Sequence, residues 1–384
     1  MKRKICVVIT ARPSYSRIKS ALAAIQRRPD LELQLVVAAS ALLDRYGKTV
    51  EIIEGDGFEI TERVYMVLEG ENLVTSAKST GLGIVELATV FDNLKPDMVV
   101  TIADRYETMA TAIAASYMNI VVAHIQGGEV TGSIDDKVRH AVTKLSNLHF
   151  VSHDLAAERV IRMGEDPATV SVTGCPSIDL ASSVLDDPLL NFNPSEKYGG
   201  VGANFDHSDG YLVVLQHPVT TEYELAQQHV TETLHAVRDL GIPTFWFWPN
   251  VDAGSDGTSR GIRSFREEEE ALNLHFFKNM VPEDFLKLLY NAQCIVGNSS
   301  VGIRECAYLG VPTVNIGSRQ AGRARGRNTV DTDNDTRQIT EAVEAQMSHG
   351  HYESDSVYGG GDAGDTIAEL LATQPLVIKK QLTY

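Results

Sequence analysis

The residues best suited to acid–base chemistry in this chain follow two short apolar runs in its first half. Asp104 and Arg105 come directly after Met98–Ile102, and the segment 124–129 (H-I-Q-G-G-E) overlaps and follows Val121–Ile125. Because the carboxyl ends of parallel strands meet at one edge of a sheet, these side chains should converge. Such a set can move protons to and from a substrate when its members have different environments. The candidate catalytic residues are Asp104, His124, Gln126, Glu129, Asp135 and Arg139.

Asp135 and Arg139 belong to this set because they lie four residues apart and share one face of a predicted helix. The same spacing is also typical of a structural ion pair, and Asp104 is equally suited to cap a helix. The residue pattern leaves these interpretations open.

Three other segments suit the binding of phosphate groups. In Thr10–Arg17 a strand runs into a helix, whose N-terminal N–H groups attract anions, and Arg12 adds a fork of donors. Gly297–Glu305 repeats this arrangement with a hydroxyl-rich turn. Glu305 would repel a diphosphate, so it better suits neutral hydroxyls such as those of a ribose. Gly317–Arg327 holds four arginines in nine residues, in a chain of net charge −17.

Each of these segments also has a simpler interpretation. The first and second are compatible with ordinary strand-to-helix turns, with Ser16 as a cap in the first. The third is compatible with a solvated charged loop. None of the three is G-x-G-x-x-G, so a dinucleotide site gains no support.

Composition limits the classes of function. The net charge comes from 34 basic and 51 acidic residues, which argues against non-specific binding to nucleic acid. No apolar stretch approaches the roughly 18 residues of a membrane helix, and the N-terminus lacks a signal-peptide core. The four cysteines are scattered, as in a reduced cytoplasmic protein, and no His/Cys cluster suggests a metal site. We therefore expect a cytoplasmic protein that binds neither membrane nor metal.

Apolar β-branched runs alternate with amphipathic stretches along the whole chain, which predicts parallel sheets covered on both faces. The predicted strands are Ile5–Ile9, Leu33–Ala38, Met98–Ile102, Val121–Ile125, His149–Val151, Val170–Val172, Tyr211–Leu215, Thr244–Trp248, Leu274–Phe277, Cys294–Val296 and Thr313–Ile316. The predicted helices are Ser16–Gln26, Ile84–Leu94, Thr108–Tyr117, Leu155–Met163, Glu222–Leu240, Pro282–Asn291 and Ile303–Leu309. Pro188–Asp209, rich in Gly, Asn, Pro and Asp, indicates a linker or insertion.

This alternation predicts two doubly wound α/β domains that face each other across a ligand-binding cleft. The first domain is expected over residues 1–175 and the second over residues 176–362. A last helix within residues 363–384 is expected to cross back onto the first domain.

Seven motifs, in order from residue 10 to about 330, resemble those of the hydrolysing UDP-N-acetylglucosamine 2-epimerases, the bacterial sialic-acid enzymes and the epimerase half of a bifunctional vertebrate enzyme. They are T-A-R-P-S-Y-S (Thr10–Ser16), D-R-Y-E (Asp104–Glu107), H-I-Q-G-G-E-V-T-G-S-I-D-D-x-x-R-H (His124–His140), Q-H-P-V-T-T (Gln216–Thr221), P-N-V-D-A-G-S (Pro249–Ser255), N-S-S-x-G-x-R-E (Asn298–Glu305) and G-x-R-Q-x-G-R (Gly317–Arg323). The I-D-D and A-G-S pieces resemble the hydrolysing branch of the family.

The resemblance implies a GT-B-like fold of two Rossmann-type domains, a homodimer or homotetramer, and no cofactor. It implies release of UDP from C1 with loss of the C2 proton, then addition of water to a glycal intermediate. The products would be UDP and the free 2-epimer, N-acetylmannosamine, for sialic-acid biosynthesis. Asp104, His124, Asp135 and Arg139 would surround the reacting sugar. The residues implied to bind UDP or substrate are Arg12, Pro13, Ser16, Arg105, His217, Asn250, Asp252, Ser299, Ser300, Glu305 and Arg319.

Three residues depart from the pattern of the family on the sugar side. Gln126 stands where many relatives have Glu, Ala41 where vertebrate relatives have His, and Ala103 where a Gly precedes the Asp-Arg pair. A carboxamide is not a general base near neutral pH. The alternative substrate is therefore UDP-2,4-diacetamido-2,4,6-trideoxyglucose (UDP-N,N'-diacetylbacillosamine), used for legionaminic acid. A GT-B glycosyltransferase and a non-catalytic UDP-sugar sensor are the competing classes of function.

Overall fold

The computed structural model describes residues 2–70, 72–131, 134–249, 254–268 and 273–383. Its strands are β1 (Arg3–Ile9), β2 (Leu31–Ala38), β3 (Glu62–Val64), β4 (Met98–Ile102), β5 (Val121–Ile125), β6 (Leu148–Val151), β7 (Val170–Val172), β8 (Val201–Gly202), β9 (Leu212–Leu215), β10 (Thr244–Phe247), β11 (Leu274–Phe277), β12 (Cys294–Gly297), β13 (Thr313–Ile316) and β14 (Thr329–Thr332).

The helices alternate with these strands along the chain. They are α1 (Arg12–Ser16), α2 (Lys19–Arg27), α3 (Thr49–Gly55), α4 (Leu73–Leu94), α5 (Tyr106–Tyr117), α6 (Ile134–Leu145), α7 (Asp154–Arg162), α8 (Pro176–Asp186), α9 (Pro194–Tyr198), α10 (Ala226–Leu240), α11 (Ser255–Glu268), α12 (Pro282–Tyr290), α13 (Ser300–Ile303), α14 (Glu305–Leu309), α15 (Thr336–His349) and α16 (Ala363–Thr373).

The chain forms two compact units, each built around one sheet. The first comprises Met1–Glu129, Ile134–Asp179 and Tyr358–Tyr384, and the second comprises Val130–Ser133 and Leu180–Val357. In the described residues the first sheet has the order β3-β2-β1-β4-β5-β6-β7, with parallel pairing throughout. The second has the order β14-β13-β12-β9-β10-β11-β8 and is parallel except at its β8 edge. The prediction of two doubly wound α/β domains is confirmed.

The central strands are buried along their length because helices cover both faces of each sheet. Every residue of β4 and β5 is buried, as is every residue of β9, β10 and β12. The second unit is rich in buried aromatic side chains: Phe245 packs against Phe277 in one core cluster, and Trp246 packs against Phe276 in another. Such rigid sheets hold the residues at their carboxyl ends in fixed positions.

Several elements differ from the prediction. The segment Pro188–Asp209 is an insertion that contains α9 and the antiparallel edge strand β8. The helix predicted to start at Glu222 starts at Ala226, because Thr220–Leu225 forms a separate 3-10 helix that is kinked at Glu222. The helix predicted over Ile303–Leu309 is interrupted at Arg304, whose ψ of −74° separates α13 from α14.

The last helix, α16, packs against α2 of the first unit. Their backbones lie so close that a Cβ on Gly364 would come within 2.7 Å of the Ser20 carbonyl carbon. Arg3 Nη1 donates to the backbone oxygens of Leu371, at 2.6 Å, and Gln374, at 2.9 Å. Glycine is therefore required where α16 crosses α2.

Candidate functional site

The carboxylate of Asp104 lies at the carboxyl end of β4 and forms a buried ion pair with Arg139 of α6. Asp104 is 7% exposed and Arg139 is 2% exposed. Arg139 Nη2 donates to Asp104 Oδ2, and Nη1 donates to the Glu129 backbone oxygen at 2.8 Å and to Asp136 Oδ1 at 2.9 Å. Buried charges are costly unless paired and hydrogen-bonded, so this network fixes the orientation of Asp104.

Asp136 is a residue of this network that was not among the predicted site residues. It forms an ion pair with Arg139 at the i,i+3 spacing. Asp135 lies beside it in the first turn of α6, where the helix dipole favours negative charge. The I-D-D-x-x-R sequence contains both the i,i+3 and the i,i+4 spacing, so Asp136 was an equally valid candidate.

His124 lies beneath the end of β4, fully buried. Its Nε2 is 2.8 Å from the backbone oxygen of Ala103, and its Nδ1 is 3.2 Å from Thr143 Oγ1. A carbonyl only accepts, so Nε2 carries the proton and Nδ1 accepts from the threonine hydroxyl. Burial lowers the pKa of His124 to about 4, and the bond to Ala103 opposes the shift. His124 is therefore a neutral support for the residue that precedes Asp104.

The residues that follow three strands of the first sheet have left-handed backbone conformations although they are not glycine. These are Ala39 after β2 (φ 52°), Ala103 after β4 (φ 66°) and Gln126 after β5 (φ 65°). Each costs of order 1–2 kcal/mol and persists only where the surroundings fix it. The Ala103 N–H donates to Ile125 O at 3.0 Å, while His124 binds its carbonyl.

Gln126 and Glu129, the other predicted residues of this edge, are also buried. Gln126 Nε2 donates to Cys175 Sγ at 2.8 Å, and this sulfur is 3.0 Å from Ser177 Oγ. Glu129 Oε1 accepts from Ser152 Oγ, which follows β6, at 2.8 Å. The structure thus gathers Asp104, His124, Gln126, Glu129, Asp135 and Arg139 at the carboxyl ends of β4 and β5 and the start of α6.

The residues of the first unit that are predicted to bind UDP or substrate lie at α1 and at the start of α5. Arg12 is half-buried, and burial lowers its pKa to about 10, so it keeps its charge near neutral pH. Pro13 is in the first turn of α1, and Ser16 Oγ donates to its backbone oxygen at 3.2 Å. The interpretation of Ser16 as a helix cap is wrong, because Ala11 occupies the N-cap. Arg105 forms a two-point ion pair with fully buried Glu107, at 3.2 and 3.3 Å.

In the second unit, Asn298 joins the ends of the neighbouring strands β9 and β12. Its Oδ1 accepts from the His217 backbone N–H, and its Nδ2 donates to the His217 backbone oxygen, both at 2.8 Å. Its own backbone oxygen accepts from Gln320 Nε2 at 2.8 Å and from Arg319 Nη1 at 3.2 Å. One asparagine thus fixes the predicted ligand residues His217 and Arg319 against the sheet.

The hydroxyl-rich turn after β12 depends on Gly297. Its φ is 132°, and a Cβ there would lie 2.1 Å from the Leu215 backbone oxygen on β9. Ser299 then caps α13, accepting from the Val301 N–H at 3.4 Å. Arg304 is 1% exposed and donates through Nη2 to Ser300 Oγ at 3.0 Å. A buried cation therefore orients Ser300.

Glu305 and the arginine-rich loop complete this edge of the second unit. Glu305 is 7% exposed, and its buried Oε2 has no hydrogen-bond partner within the described protein atoms. Arg325 forms an ion pair with Asp331, and Arg327 is exposed. Asn250 and Asp252, also predicted to bind substrate, lie outside the described residues.

The comparisons with known proteins agree on one family. A family model described as UDP-N-acetylglucosamine 2-epimerase matches residues 23–372. The chain belongs to this family. It is 33% identical to a UDP-N-acetylglucosamine 2-epimerase of Neisseria meningitidis serogroup B, over 94% of this chain and 92% of the relative. It is 30% identical to the hydrolysing UDP-N,N'-diacetylbacillosamine 2-epimerase of Legionella pneumophila, over 98% of this chain and 97% of that relative.

A crystal structure of a Neisseria meningitidis UDP-GlcNAc 2-epimerase bound to UDP-GlcNAc has the same fold as this chain. Its TM-score is 0.78 at 17% identity, over 96% of this chain and 99% of that chain. The predicted family and the predicted two-domain GT-B-like fold are confirmed.

Within the described ranges, no group of His, Cys, Asp and Glu is arranged to hold a metal ion. Among the same residues, no helix has both the length and the apolar character needed to cross a membrane.

Proposed function

We propose that this epimerase is hydrolysing: it converts UDP-GlcNAc and water into N-acetylmannosamine and UDP, as required for sialic-acid biosynthesis. The observation that carries the proposal is the buried Asp104–Arg139 pair at the end of β4. A carboxylate held in this way can take the C2 proton without reorienting. The named hydrolysing relative, which aligns over nearly the whole chain, supports the hydrolytic outcome.

In the proposed reaction the C1–O bond to UDP breaks as the C2 proton passes to a base, and a glycal forms. Water then adds across the double bond: its hydroxyl goes to C1, and a proton arrives on the opposite face of C2. We propose Asp104 as the base, with Glu129 and Asp135 as the remaining carboxylates near the sugar. His124 supports Ala103, because both of its ring nitrogens are already engaged.

The UDP group is proposed to bind the second unit. Glu305 has an unpartnered buried oxygen suited to ribose hydroxyls, and Ser299, Ser300 and Arg319 suit the diphosphate. Cationic donors around the diphosphate would stabilise the leaving group. Arg12 of the first unit is proposed as a further ligand of the UDP group.

A second substrate, UDP-2,4-diacetamido-2,4,6-trideoxyglucose, is favoured by Gln126. Gln126 follows β5, and its buried side-chain amide is oriented by a hydrogen bond to Cys175. An amide cannot act as a general base. It better suits recognition of a substituent than proton transfer. The Legionella relative acts, by its name, on this type of sugar.

The test is proton NMR of the purified enzyme in D2O with each UDP-sugar in parallel. Free N-acetylmannosamine with deuterium at C2, together with UDP, is the expected result. If only the diacetamido substrate gave deuterated free sugar, the enzyme would act on that substrate and not on UDP-GlcNAc. UDP-N-acetylmannosamine as the final product would contradict hydrolysis. Transfer to an acceptor without deuterium at C2 would indicate a glycosyltransferase, and tight binding without turnover a sensor.

A further inference from the structure

The segment 375–383, the strap, follows α16 and lies against the rest of the first unit. Asn147 Nδ2 donates to the backbone oxygens of Val377 and Ile378, each at 3.0 Å. Thr383 Oγ1 donates to the Glu165 backbone oxygen at 3.2 Å. The strap is thus held at both ends although it has no secondary structure of its own.

Between these points, Lys380 enters the C-terminal end of α6. Its Nζ donates to the backbone oxygen of Thr143 at 3.1 Å and to that of Ser146. The last carbonyls of a helix have no partners within it, and they form its negative end. Lys380, from more than 230 residues away in sequence, therefore caps α6 with a cation.

The ammonium group of Lys380 is also held by a buried carboxylate. Glu165 Oε2 lies 2.6 Å from Lys380 Nζ and 3.0 Å from His149 Nε2, and Oε1 lies 2.6 Å from Lys144 Nζ. Burial alone would raise the pKa of Glu165, but the hydrogen bonds from these three residues outweigh it and lower the pKa to about 2. The carboxylate is ionised near neutral pH and fixes Lys380 in place.

The helix capped in this way carries the groups that orient Asp104. Arg139 and Thr143 lie one turn apart on the face of α6 that meets the sheet. Arg139 pairs with Asp104, and Thr143 hydrogen-bonds His124, which supports Ala103. A shift of α6 along its axis would therefore move both supports of Asp104 together.

We propose that Lys380 is a positioning residue for the active site, which acts by fixing α6 and through it Asp104. The inference deepens the proposed function and rests on Asp104 being the proton acceptor. Small misplacements of a reacting group are costly, of order a hundredfold in rate for about 1 Å. Loss of the cap should therefore affect the chemical step more than the binding of UDP, whose proposed ligands lie mainly in the second unit.

The experiment compares Lys380→Met with Lys379→Met, its exposed neighbour in the same strap. Methionine keeps much of the apolar stem and removes the ammonium group. For Lys380→Met we expect kcat to fall about tenfold with KM changed less than about twofold, and Lys380→Arg to recover most of the loss. Lys379→Met should retain wild-type kcat. Equal loss in both methionine variants, or an unchanged kcat in Lys380→Met, would overturn the proposal.

A second readout does not depend on the reaction. Amide hydrogen exchange, followed by mass spectrometry on the intact full-length protein, should rise in the α6 peptides of Lys380→Met and not in those of α10. If the wild-type enzyme turned over no UDP-sugar, the proposed function would fail, while the exchange data would still test the strap. Unchanged exchange in α6 would contradict the role of Lys380 whatever the activity.

Discussion

Asp104 and His124 lie at the ends of neighbouring strands, yet their surroundings differ in kind. Asp104 keeps some exposure and is paired by Arg139, while His124 is fully buried with both ring nitrogens bonded inside the protein. The sequence places both residues correctly at one edge of the sheet. It does not show that their roles differ, because the hydrogen bonds of His124 go to a backbone oxygen and to a helix residue 19 positions away.

Asp104→Asn should reduce kcat by about a thousandfold, because the amide keeps the shape of the side chain but does not accept a proton near neutral pH. The affinity for UDP should change less than about threefold. Initial rates of UDP release and titration calorimetry with UDP measure the two effects. Asp92→Asn, at an exposed position of α4, is the control. An Asp104→Asn enzyme of near wild-type rate would remove Asp104 from the mechanism.

His124→Gln should retain most of the activity, whereas His124→Ala should lose it. The glutamine amide nitrogen can take the place of Nε2 and donate to the Ala103 backbone oxygen, but it cannot shuttle protons. Alanine leaves that buried carbonyl unpaired and a cavity beneath it. Steady-state kcat for both variants is the measurement. If His124→Gln were as inactive as His124→Ala, a proton-transfer role for His124 would be favoured.

At the scale of elements, the sequence predicts strands more completely than helices. The strands in the middle of each sheet are apolar β-branched runs, but β3 and β14 are mostly exposed edge strands with no such run. The sequence pattern predicts that α4 starts at Ile84, whereas the helix starts at Leu73. The pattern misses the first part of the helix because Ser79 and Gly83, which are not large apolar residues, occupy its buried face. Small and polar residues at buried positions obscure the pattern of apolar residues by which a helix is recognised in the sequence.

Residues that hold the site residues in place are harder to predict from the sequence than the site residues themselves. The exit residues of β4, β5 and β12 follow from the strand pattern alone. In contrast, Asn298 acts by joining two strands, and Lys380 by reaching a helix far away in sequence. No local spacing encodes such contacts, since they exist only after the chain has folded.

Gly297→Ala should prevent or severely weaken folding of the second unit, because its Cβ would meet the Leu215 backbone oxygen of the adjacent strand. Gly241, which ends α10 with a φ of 66°, is the matched control because nothing lies within 4 Å of its added Cβ. Gly241→Ala should cost only about 1–2 kcal/mol, for the left-handed conformation. Urea denaturation of the two variants separates a clash from conformational strain. Equal destabilisation by both would contradict the contact at Gly297.

At the scale of the molecule, charge and buried histidines act in opposite directions on acidification. The formal net charge is −17, so a fall in pH reduces the repulsion between surface carboxylates. His124 acts in the other direction, because burial lowers its pKa from 6.5 to about 4, and burial also lowers the pKa of His149. At His124 the unfolded chain therefore binds more protons than the folded protein between pH 6.5 and 4, and His149 acts in the same direction.

The contribution of His124 to the free energy of unfolding should accordingly fall as the pH drops from 6.5 toward 4, by at most roughly 3 kcal/mol. His124→Gln has no titrating group at this position and nearly the same surface charge, so its stability should depend less steeply on pH. Urea unfolding of both proteins at pH 7.0, 6.0 and 5.0 gives the two slopes. His351→Gln, at an exposed histidine, should keep the wild-type slope. If the free energy of unfolding of wild type and of His124→Gln changed equally with pH, His124 would be protonated as easily in the folded protein as in the unfolded chain. This result would contradict a neutral His124 that donates to the Ala103 backbone oxygen.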